Sequence, residues 1–277
     1  MVPSDDRQHL DLAHPILQRN KVRVIGHGKP PMLFCHGFGC DQHIWRYLTP
    51  ALAARYQLVL FDHVGAGESD ARAYDPQKYS TLAGYAHDVV QICQVLGLQQ
   101  VTVVGHSVGA MIALLAAISA PEHFAKAVML APSPCYLNAP NYHGGLNLED
   151  AHQLLALMEQ DYDGWAHLFA GLLLGPANPA AMCEELAGYF CRTDSTMAKQ
   201  FARVAFLSDN RPEVARMPVP TLLLQCSRDA VAPAEVGAYL LAHLPEATLI
   251  TLQATGHCPH LSAPLETLAA MDPFLAA

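Results

Sequence analysis

Residues 101–110 read VTVVGHSVGA. Its first half is a run of apolar and β-branched residues, which predicts a strand buried on both faces. The apolar stretch that follows predicts a helix beginning at Ser107. Gly105, Ser107 and Gly109 match the G-x-S-x-G pattern, in which a serine occupies a strained strand-to-helix turn with its hydroxyl exposed. The two glycines fit because side chains at those positions would collide with neighbouring backbone. The pattern predicts Ser107 as a nucleophile, and an incidental serine in a glycine-rich turn is the alternative.

A nucleophilic serine needs a base, and the base needs an acid to orient it. Asp229 follows the apolar run PTLLLQC at 220–226, and His257 follows ATLITLQ at 247–253. Taken alone, Asp229 would be interpreted as a helix N-cap and His257 as a loop histidine. The segment MLAPSPCYLN at 129–138, where a rival acid would stand, has no carboxylate. The order serine, aspartate, histidine at successive strand ends therefore predicts a catalytic triad.

An oxyanion hole needs two backbone N–H groups that point at the developing negative charge. One is predicted at Val108, at the start of the helix after the serine. The other is predicted at Phe38, in the segment CHGFG at 35–39 that follows an early buried run. We expect His36 to brace this loop by hydrogen bonding rather than to transfer protons.

Apolar runs alternate with helical periodicity on both sides of the middle of the chain, which predicts a mostly parallel, doubly wound α/β sheet. We expect this core to comprise residues 15–133 and 213–277, after an N-terminal extension at 1–14. Residues 134–212 lack strand-like runs and contain four helical segments, which predicts an inserted helical cap over the carboxyl edge of the sheet. The aromatic residues of these segments are expected to divide between the core of the cap and the wall of a pocket.

Composition excludes several classes of function. The formal charge is −9 and no run of Lys and Arg occurs, so a nucleic-acid partner is not expected. No stretch approaches the roughly 20 apolar residues of a membrane span, and the polar N-terminus lacks a signal-peptide pattern, so we expect a cytoplasmic protein. The eight cysteines are scattered, as expected for reduced thiols. Neither Gly65-Ala66-Gly67 nor His257-Cys258-Pro259-His260 has the companions of a cofactor or metal motif, so no cofactor and no metal are expected.

The motifs together resemble the α/β-hydrolase superfamily over nearly the whole chain. Within it, the chain is similar to the RsbQ-like hydrolases, which are related to the karrikin and strigolactone receptors. The specific blocks are GFGCDQ at 37–42, FDHVGAGESD at 61–70, GHSVGA at 105–110, PSPCYLN at 132–138, FLSDNR at 206–211 and GHCPH at 256–260. The chain departs from the family in its N-terminal extension and in Cys35-His36 before the GFG block.

The resemblance implies a V-shaped four-helix cap over a small apolar cavity, with the same triad and the same oxyanion donors. It also implies a set of cavity-wall residues: Tyr136, Trp165, Phe169, Phe190 and Phe206. Two functions follow as expectations. One is a serine hydrolase of a small apolar ester or lactone. The other is a small-molecule sensor that engages a signalling partner such as a phosphatase. Lyase or perhydrolase chemistry on the same triad is a third alternative. Dehalogenases and epoxide hydrolases are disfavoured because they use a carboxylate where Ser107 stands.

Overall fold

The computed structural model describes residues 12–277, so residues 1–11 of the expected N-terminal extension lie outside the described part. A single seven-stranded sheet runs through these residues in the order β1-β3-β2-β4-β5-β6-β7. Its strands are β1 Arg23–Ile25, β2 Pro31–Cys35, β3 Gln57–Leu60, β4 Val101–His106, β5 Phe124–Leu130, β6 Thr221–Arg228 and β7 Ala247–Thr255. Only the pairing of β1 with β3 is antiparallel. The predicted mostly parallel α/β sheet is confirmed.

Helices flank the sheet and fill the connections between its strands. Their bounds are α1 Pro15–Arg19, α2 Thr49–Leu52, α3 Leu82–Val95, α4 Val108–Ser119, α5 Leu148–Gln160, α6 Tyr162–Leu174, α7 Ala180–Arg192, α8 Ser195–Leu207, α9 Arg211–Val214, α10 Ala234–His243, α11 Pro259–Ser262 and α12 Pro264–Ala276. Among the described residues, no helix has the length and apolar character needed to cross a membrane.

The centre of the sheet is shielded from solvent. Strand β4, which pairs with β2 and β5, is buried at every position. Parallel registers align the carboxyl ends of these strands, since Cys35 pairs with Gly105 and His106 pairs with Leu130. Strand β6 continues the parallel pairing on the far side of β5. The loops that follow β2, β4, β6 and β7 therefore open at one edge of the sheet.

Helices α5 to α9 lie between β5 and β6 in the chain, and α5 to α8 are the four helices of the segment expected to form a cap. Three of the four starts carry a side-chain cap. Asn147 and Asp150 form a capping box at α5, while the carboxylates of Asp161 and Asp194 accept backbone N–H bonds at α6 and α8. Helix α7 follows Pro179 without a side-chain cap, and all four helices are 13 residues long.

Two helix starts differ from the sequence expectation. Helix α4 begins at Val108 rather than at Ser107, because Ser107 has a φ of +56° and cannot continue a right-handed helix. The apolar periodicity from Tyr79 to Leu96 predicts one helix, but the chain is broken at Thr81, whose φ of −141° is extended. A short 3₁₀ turn at Lys78–Ser80 precedes the break. Periodicity continues across such a break because it records which side chains are buried, not which backbone dihedrals connect them.

Candidate active site

Ser107 occupies the turn between β4 and α4 in a strained left-handed region of backbone space, at φ +56° and ψ −127°. Steric crowding explains both flanking glycines. A Cβ at Gly105 would lie 2.5 Å from the Cα of Ala110, and one at Gly109 would lie 2.4 Å from the carbonyl oxygens of Cys35 and His36. The Ser107 N–H donates to the Leu130 carbonyl at 2.9 Å, which ties the turn to strand β5. The surrounding structure thus holds the serine in a conformation that a free chain would leave.

The three residues predicted as a triad come together at the carboxyl edge of the sheet. His257 Nε2 lies 2.7 Å from Ser107 Oγ, and His257 Nδ1 lies 2.7 Å from Asp229 Oδ2. Because a carboxylate can only accept, Nδ1 carries the proton and Nε2 is free to accept the serine hydroxyl proton. The other Asp229 oxygen, Oδ1, accepts N–H bonds from Val231 at 2.8 Å and Ala232 at 3.0 Å. These bonds fix the plane of the carboxylate that orients the imidazole.

The loop that carries His257 is held from the core and from the cap. The His257 N–H donates to the Leu173 carbonyl near the end of α6 at 2.6 Å. His106 Nε2 lies 2.8 Å from the His257 carbonyl oxygen and donates to it. Gly256 has a φ of +86°, and a Cβ there would lie 2.5 Å from the Leu174 carbonyl oxygen. His106 was not among the residues predicted from the sequence to have a role, and its place between Gly105 and Ser107 was the signal that could have identified it.

A second buried histidine, His260, packs against His106. The ring of His260 lies 4.4 Å from that of His106 and 4.8 Å from that of Trp45, measured between centroids. Neither nitrogen of His260 has a hydrogen-bond partner among the described residues. Burial, and then the neighbouring His257, lower the pKa of His260 to about 3. Burial also lowers the pKa of His106 well below its usual value. Both rings are therefore neutral at neutral pH.

The predicted oxyanion loop follows β2, and His36 braces it as expected. The His63 N–H donates to His36 Nε2 at 3.1 Å, which leaves the His36 Nδ1–H to donate to the Gly37 carbonyl at 2.8 Å. A Cβ at Gly37 would meet His106 Nδ1 at 2.5 Å, so the loop packs directly on the turn that carries the serine. Within residues 12–277, no hydrogen bond engages the N–H of Phe38 or of Val108. Both groups are available to an incoming oxygen.

A small apolar cavity lies above Ser107, with a volume of about 20 Å³. That is room for about one water molecule. Of the predicted wall residues, Tyr136, Phe169 and Phe206 line the cavity. The Tyr136 hydroxyl lies 3.0 Å from Ser107 Oγ, and burial raises the pKa of this phenol. Since the serine proton goes to His257, the tyrosine is the donor in this pair.

The other two predicted wall residues, Trp165 and Phe190, lie outside the set that lines the cavity. Trp165 stacks on Phe169 at 4.9 Å, and Phe190 packs edge-on against the same ring at 5.8 Å. Both also contact the ring of Phe38, at 6.0 and 5.7 Å. They form a second aromatic layer because the ring of Phe38 projects into the cap and fills the space in front of them.

Two of the cysteines, which were predicted to be reduced thiols, also line the cavity. Cys40 follows the oxyanion loop, and Cys258 follows His257 directly. Burial raises the pKa of both thiols. A thiol that stays protonated is a poor nucleophile. Ser107 is therefore the group in this cavity that is paired with a base.

Comparison with known proteins places this architecture in a family. The family model described as the alpha/beta hydrolase family matches residues 32–271. The chain belongs to the α/β-hydrolase family. The match extends from strand β2 to helix α12 and includes every residue of the site described above.

Individual proteins are similar to this α/β-hydrolase over most of its length. Strigolactone esterase D14 of Arabidopsis thaliana is 38% identical over 258 residues, which cover 91% of this chain and 95% of that protein. Karrikin insensitive 2 receptor CA of Petunia hybrida is 35% identical over 248 residues, covering 89% and 92%. Among solved structures, the hydrolase olei00960 from Oleispira antarctica superimposes with a TM-score of 0.92 at 36% identity, covering 95% and 96%. The predicted relationship to the karrikin and strigolactone receptor hydrolases is confirmed.

Proposed function

We propose that this protein is a serine hydrolase of a small, mostly apolar carboxylic ester or lactone. The observation that carries the proposal is the unbroken chain of contacts from Ser107 through His257 to Asp229, at 2.7 Å each. Hydrogen-bond reach between nucleophile and base, and between base and orienting acid, is the geometric signature of this chemistry. The esterases among the relatives support the same class of reaction.

The mechanism follows from the positions of these groups. Ser107 Oγ attacks the substrate carbonyl while His257 Nε2 takes its proton, and Asp229 stabilises the imidazolium that forms. The tetrahedral oxyanion accepts hydrogen bonds from the N–H groups of Phe38 and Val108. His257 then gives its proton to the leaving oxygen, which departs and leaves an acyl-serine. A water molecule, deprotonated by His257, releases the acid and restores Ser107.

The cavity wall supports the proposed class of substrate. Phe169, Leu173, Ala205 and Phe206 present apolar surface, and none of the described residues that line the cavity is an Asp, Glu, Lys or Arg. Besides the serine and two histidines, the Tyr136 hydroxyl is a wall group that can donate a strong hydrogen bond. Such a wall favours an uncharged substrate that carries few polar groups near its reacting carbonyl. Because the cavity has room for about one water molecule, any such substrate needs the aromatic wall to move.

The test is hydrolysis of p-nitrophenyl acetate and butyrate by the wild type and by Ser107→Ala, with stopped-flow detection of any burst. We expect the substitution to abolish turnover while the fold is retained. Ser119→Ala is the matched control, because Ser119 ends the same helix and its hydroxyl donates only to the Ala116 carbonyl. Equal turnover by wild type and Ser107→Ala would remove the nucleophile assignment.

A second candidate function is a small-molecule sensor that uses the same triad. Two observations favour it: the nucleophile is only 7% exposed beneath a water-sized cavity, and several relatives are named as karrikin insensitive 2 receptors. A site that must open to accept its ligand links ligand binding to a change of shape, which a signalling partner such as a phosphatase can read. A fast burst followed by slow turnover favours the sensor. Many rapid turnovers without a burst favour a metabolic esterase.

A further inference from the structure

The two residues after strand β3 hold the segment that carries the oxyanion loop, residues 36–42, at both of its ends. Asp62 is fully buried, and its Oδ1 accepts the Gln42 N–H at 2.8 Å. His63, the next residue, contacts the beginning of the segment. Asp62 is itself tied to the core, because its N–H donates to the Asn20 carbonyl at 2.9 Å and its carbonyl accepts from the Asn20 amide at 2.9 Å. Asp62 and His63 thus form a fixed base for the loop.

His63 makes two hydrogen bonds to His36, one from its ring and one from its backbone. The His63 Nε2 lies 3.1 Å from the His36 carbonyl oxygen, and since a carbonyl can only accept, Nε2 carries the proton and donates. The His63 N–H donates to His36 Nε2, also at 3.1 Å. Burial lowers the pKa of both histidines, so each ring is neutral at neutral pH and carries a single proton.

The position of that single proton on His36 affects the direction of the Phe38 N–H. Because His36 Nε2 accepts from His63, the ring proton is on Nδ1, which donates to the Gly37 carbonyl at 2.8 Å. The Gly37 carbonyl and the Phe38 N–H belong to one planar peptide unit and point in opposite directions. A bond that fixes the carbonyl therefore also fixes the N–H. The Cys40 N–H donates to the same carbonyl at a longer 3.4 Å, so His36 makes the shorter of the two bonds.

The ring of His63 is packed so that its Nε2 stays directed at His36. It lies edge-on against three aromatic rings, with centroid distances of 5.1 Å to Phe61, 5.8 Å to Tyr85 and 6.1 Å to Phe201. The other ring nitrogen, Nδ1, is buried and has no hydrogen-bond partner among the described residues. A buried polar atom without a partner destabilises the folded state, so packing alone would favour an apolar side chain at this position. The bond from Nε2 to the His36 carbonyl distinguishes the imidazole from such a side chain.

We propose that His63 is a positioning residue of the oxyanion hole that acts through His36. Its N–H selects the His36 tautomer and its ring holds the His36 carbonyl, so the peptide between Gly37 and Phe38 presents its N–H to the oxyanion. The inference rests on the proposed hydrolase function. Neither histidine lines the cavity, so their effect falls on the transition state rather than on substrate binding.

The test compares side chains of similar shape that keep or remove one donor. In His36→Asn, the side-chain amide can place an N–H at the position of Nδ1, whereas His36→Leu has the same branching and no donor. In His63→Gln, the amide can place an N–H at the position of Nε2, whereas His63→Met has a similar length and no donor.

Turnover of p-nitrophenyl acetate is measured together with the Kd of trifluoroacetone, whose adduct with Ser107 carries an oxyanion. Misplacing one oxyanion donor costs about 10- to 100-fold. We expect His36→Leu and His63→Met to lower kcat and ketone affinity by a similar factor within that range, with KM changed less than about threefold. His36→Asn and His63→Gln should each recover most of the loss.

His123→Leu is the matched control. His123 is also a buried histidine whose ring donates to a backbone carbonyl, that of Leu98 at 2.7 Å, but it lies at the opposite end of the sheet, directly before strand β5. Its substitution removes the same kind of bond and should leave kcat and ketone affinity unchanged.

The inference is wrong if His36→Leu and His63→Met keep the wild-type kcat, if they raise KM alone, or if the amide variants recover no more than the apolar ones. An equal loss of kcat in His123→Leu would also overturn it. Thermal melts verify folding, and His63→Phe takes the place of His63→Met if that variant does not fold. A wild type that neither hydrolyses the ester nor binds the ketone would instead refute the proposed function.

Discussion

Acid should destabilise this protein through its buried neutral histidines, and His260 allows the effect to be calculated. Its side chain is 0% exposed, and its two ring nitrogens have no hydrogen-bond partner among the described residues. Its pKa in the folded state is lowered to about 3, from a usual value of 6.5, chiefly by burial. Between those two pH values the unfolded chain binds a proton at this histidine and the folded chain does not. The free energy of unfolding must therefore fall as the pH falls through this window.

The size of the effect follows from the width of the window. Each pH unit below 6.5 lowers the free energy of unfolding by about 1.4 kcal/mol for one such histidine. At pH 5 the loss from His260 alone is about 2 kcal/mol. That is a large part of the roughly 5–15 kcal/mol that stabilises a typical domain. His63 and His106, whose pKa values burial also lowers well below the usual value, should add to the acid sensitivity.

The assay is urea unfolding at pH 7.5, 6.5, 5.5 and 5.0, followed by the fluorescence of the buried Trp45 and Trp165. His260→Phe keeps an aromatic ring packed against His106 and Trp45 but cannot bind a proton. We expect its loss of free energy of unfolding between pH 7.5 and 5.0 to be about 2 kcal/mol smaller than that of the wild type.

The exposed His152 supplies the matched control, and His152→Phe should show the wild-type pH slope. The comparison uses slopes, so any packing change that shifts stability equally at all pH values cancels. Identical pH slopes in the wild type and His260→Phe would refute the assignment of a buried neutral imidazole.

Three further predictions concern the site. Asp229→Asn should lower kcat at least about 10³-fold with the fold intact, because an amide no longer selects the productive tautomer of His257. Steady-state kinetics measure the loss of kcat, and a melting curve checks the fold. Gly109→Ala should lower the free energy of unfolding by more than about 3 kcal/mol or prevent soluble expression, because the added Cβ would meet two backbone carbonyl oxygens. Urea titration measures the change in the free energy of unfolding. Tyr136→Phe should leave kcat/KM within about threefold, because its hydroxyl bonds the resting serine rather than the base. A loss above 30-fold would instead make that hydroxyl part of the reaction.

Local pattern was enough to predict the fold and the positions of the triad residues. Strands buried on both faces have continuous apolar runs, and parallel strands bring the loops at their carboxyl ends to one edge. Ser107, Asp229 and His257 each follow such a run, so their proximity could be expected from the chain alone. The break at Thr81 and the start of α4 at Val108 could not, because single backbone dihedrals leave little trace in hydrophobic periodicity.

Contacts between distant parts of the chain were decided by the tertiary structure. His106 lies 151 residues from the carbonyl of His257 that it holds, and no local pattern relates the two. The same applies to the Tyr136 hydroxyl, which lies 3.0 Å from Ser107 Oγ. Aromatic residues in amphipathic helices can be assigned to an interior face, but not to a particular layer behind that face. The order of runs and loops along the chain was thus sufficient to predict which chemical groups meet at the sheet edge. Only the packing of the cap decided how much space is left above them, because cavity volume depends on how side chains from separate helices fit together.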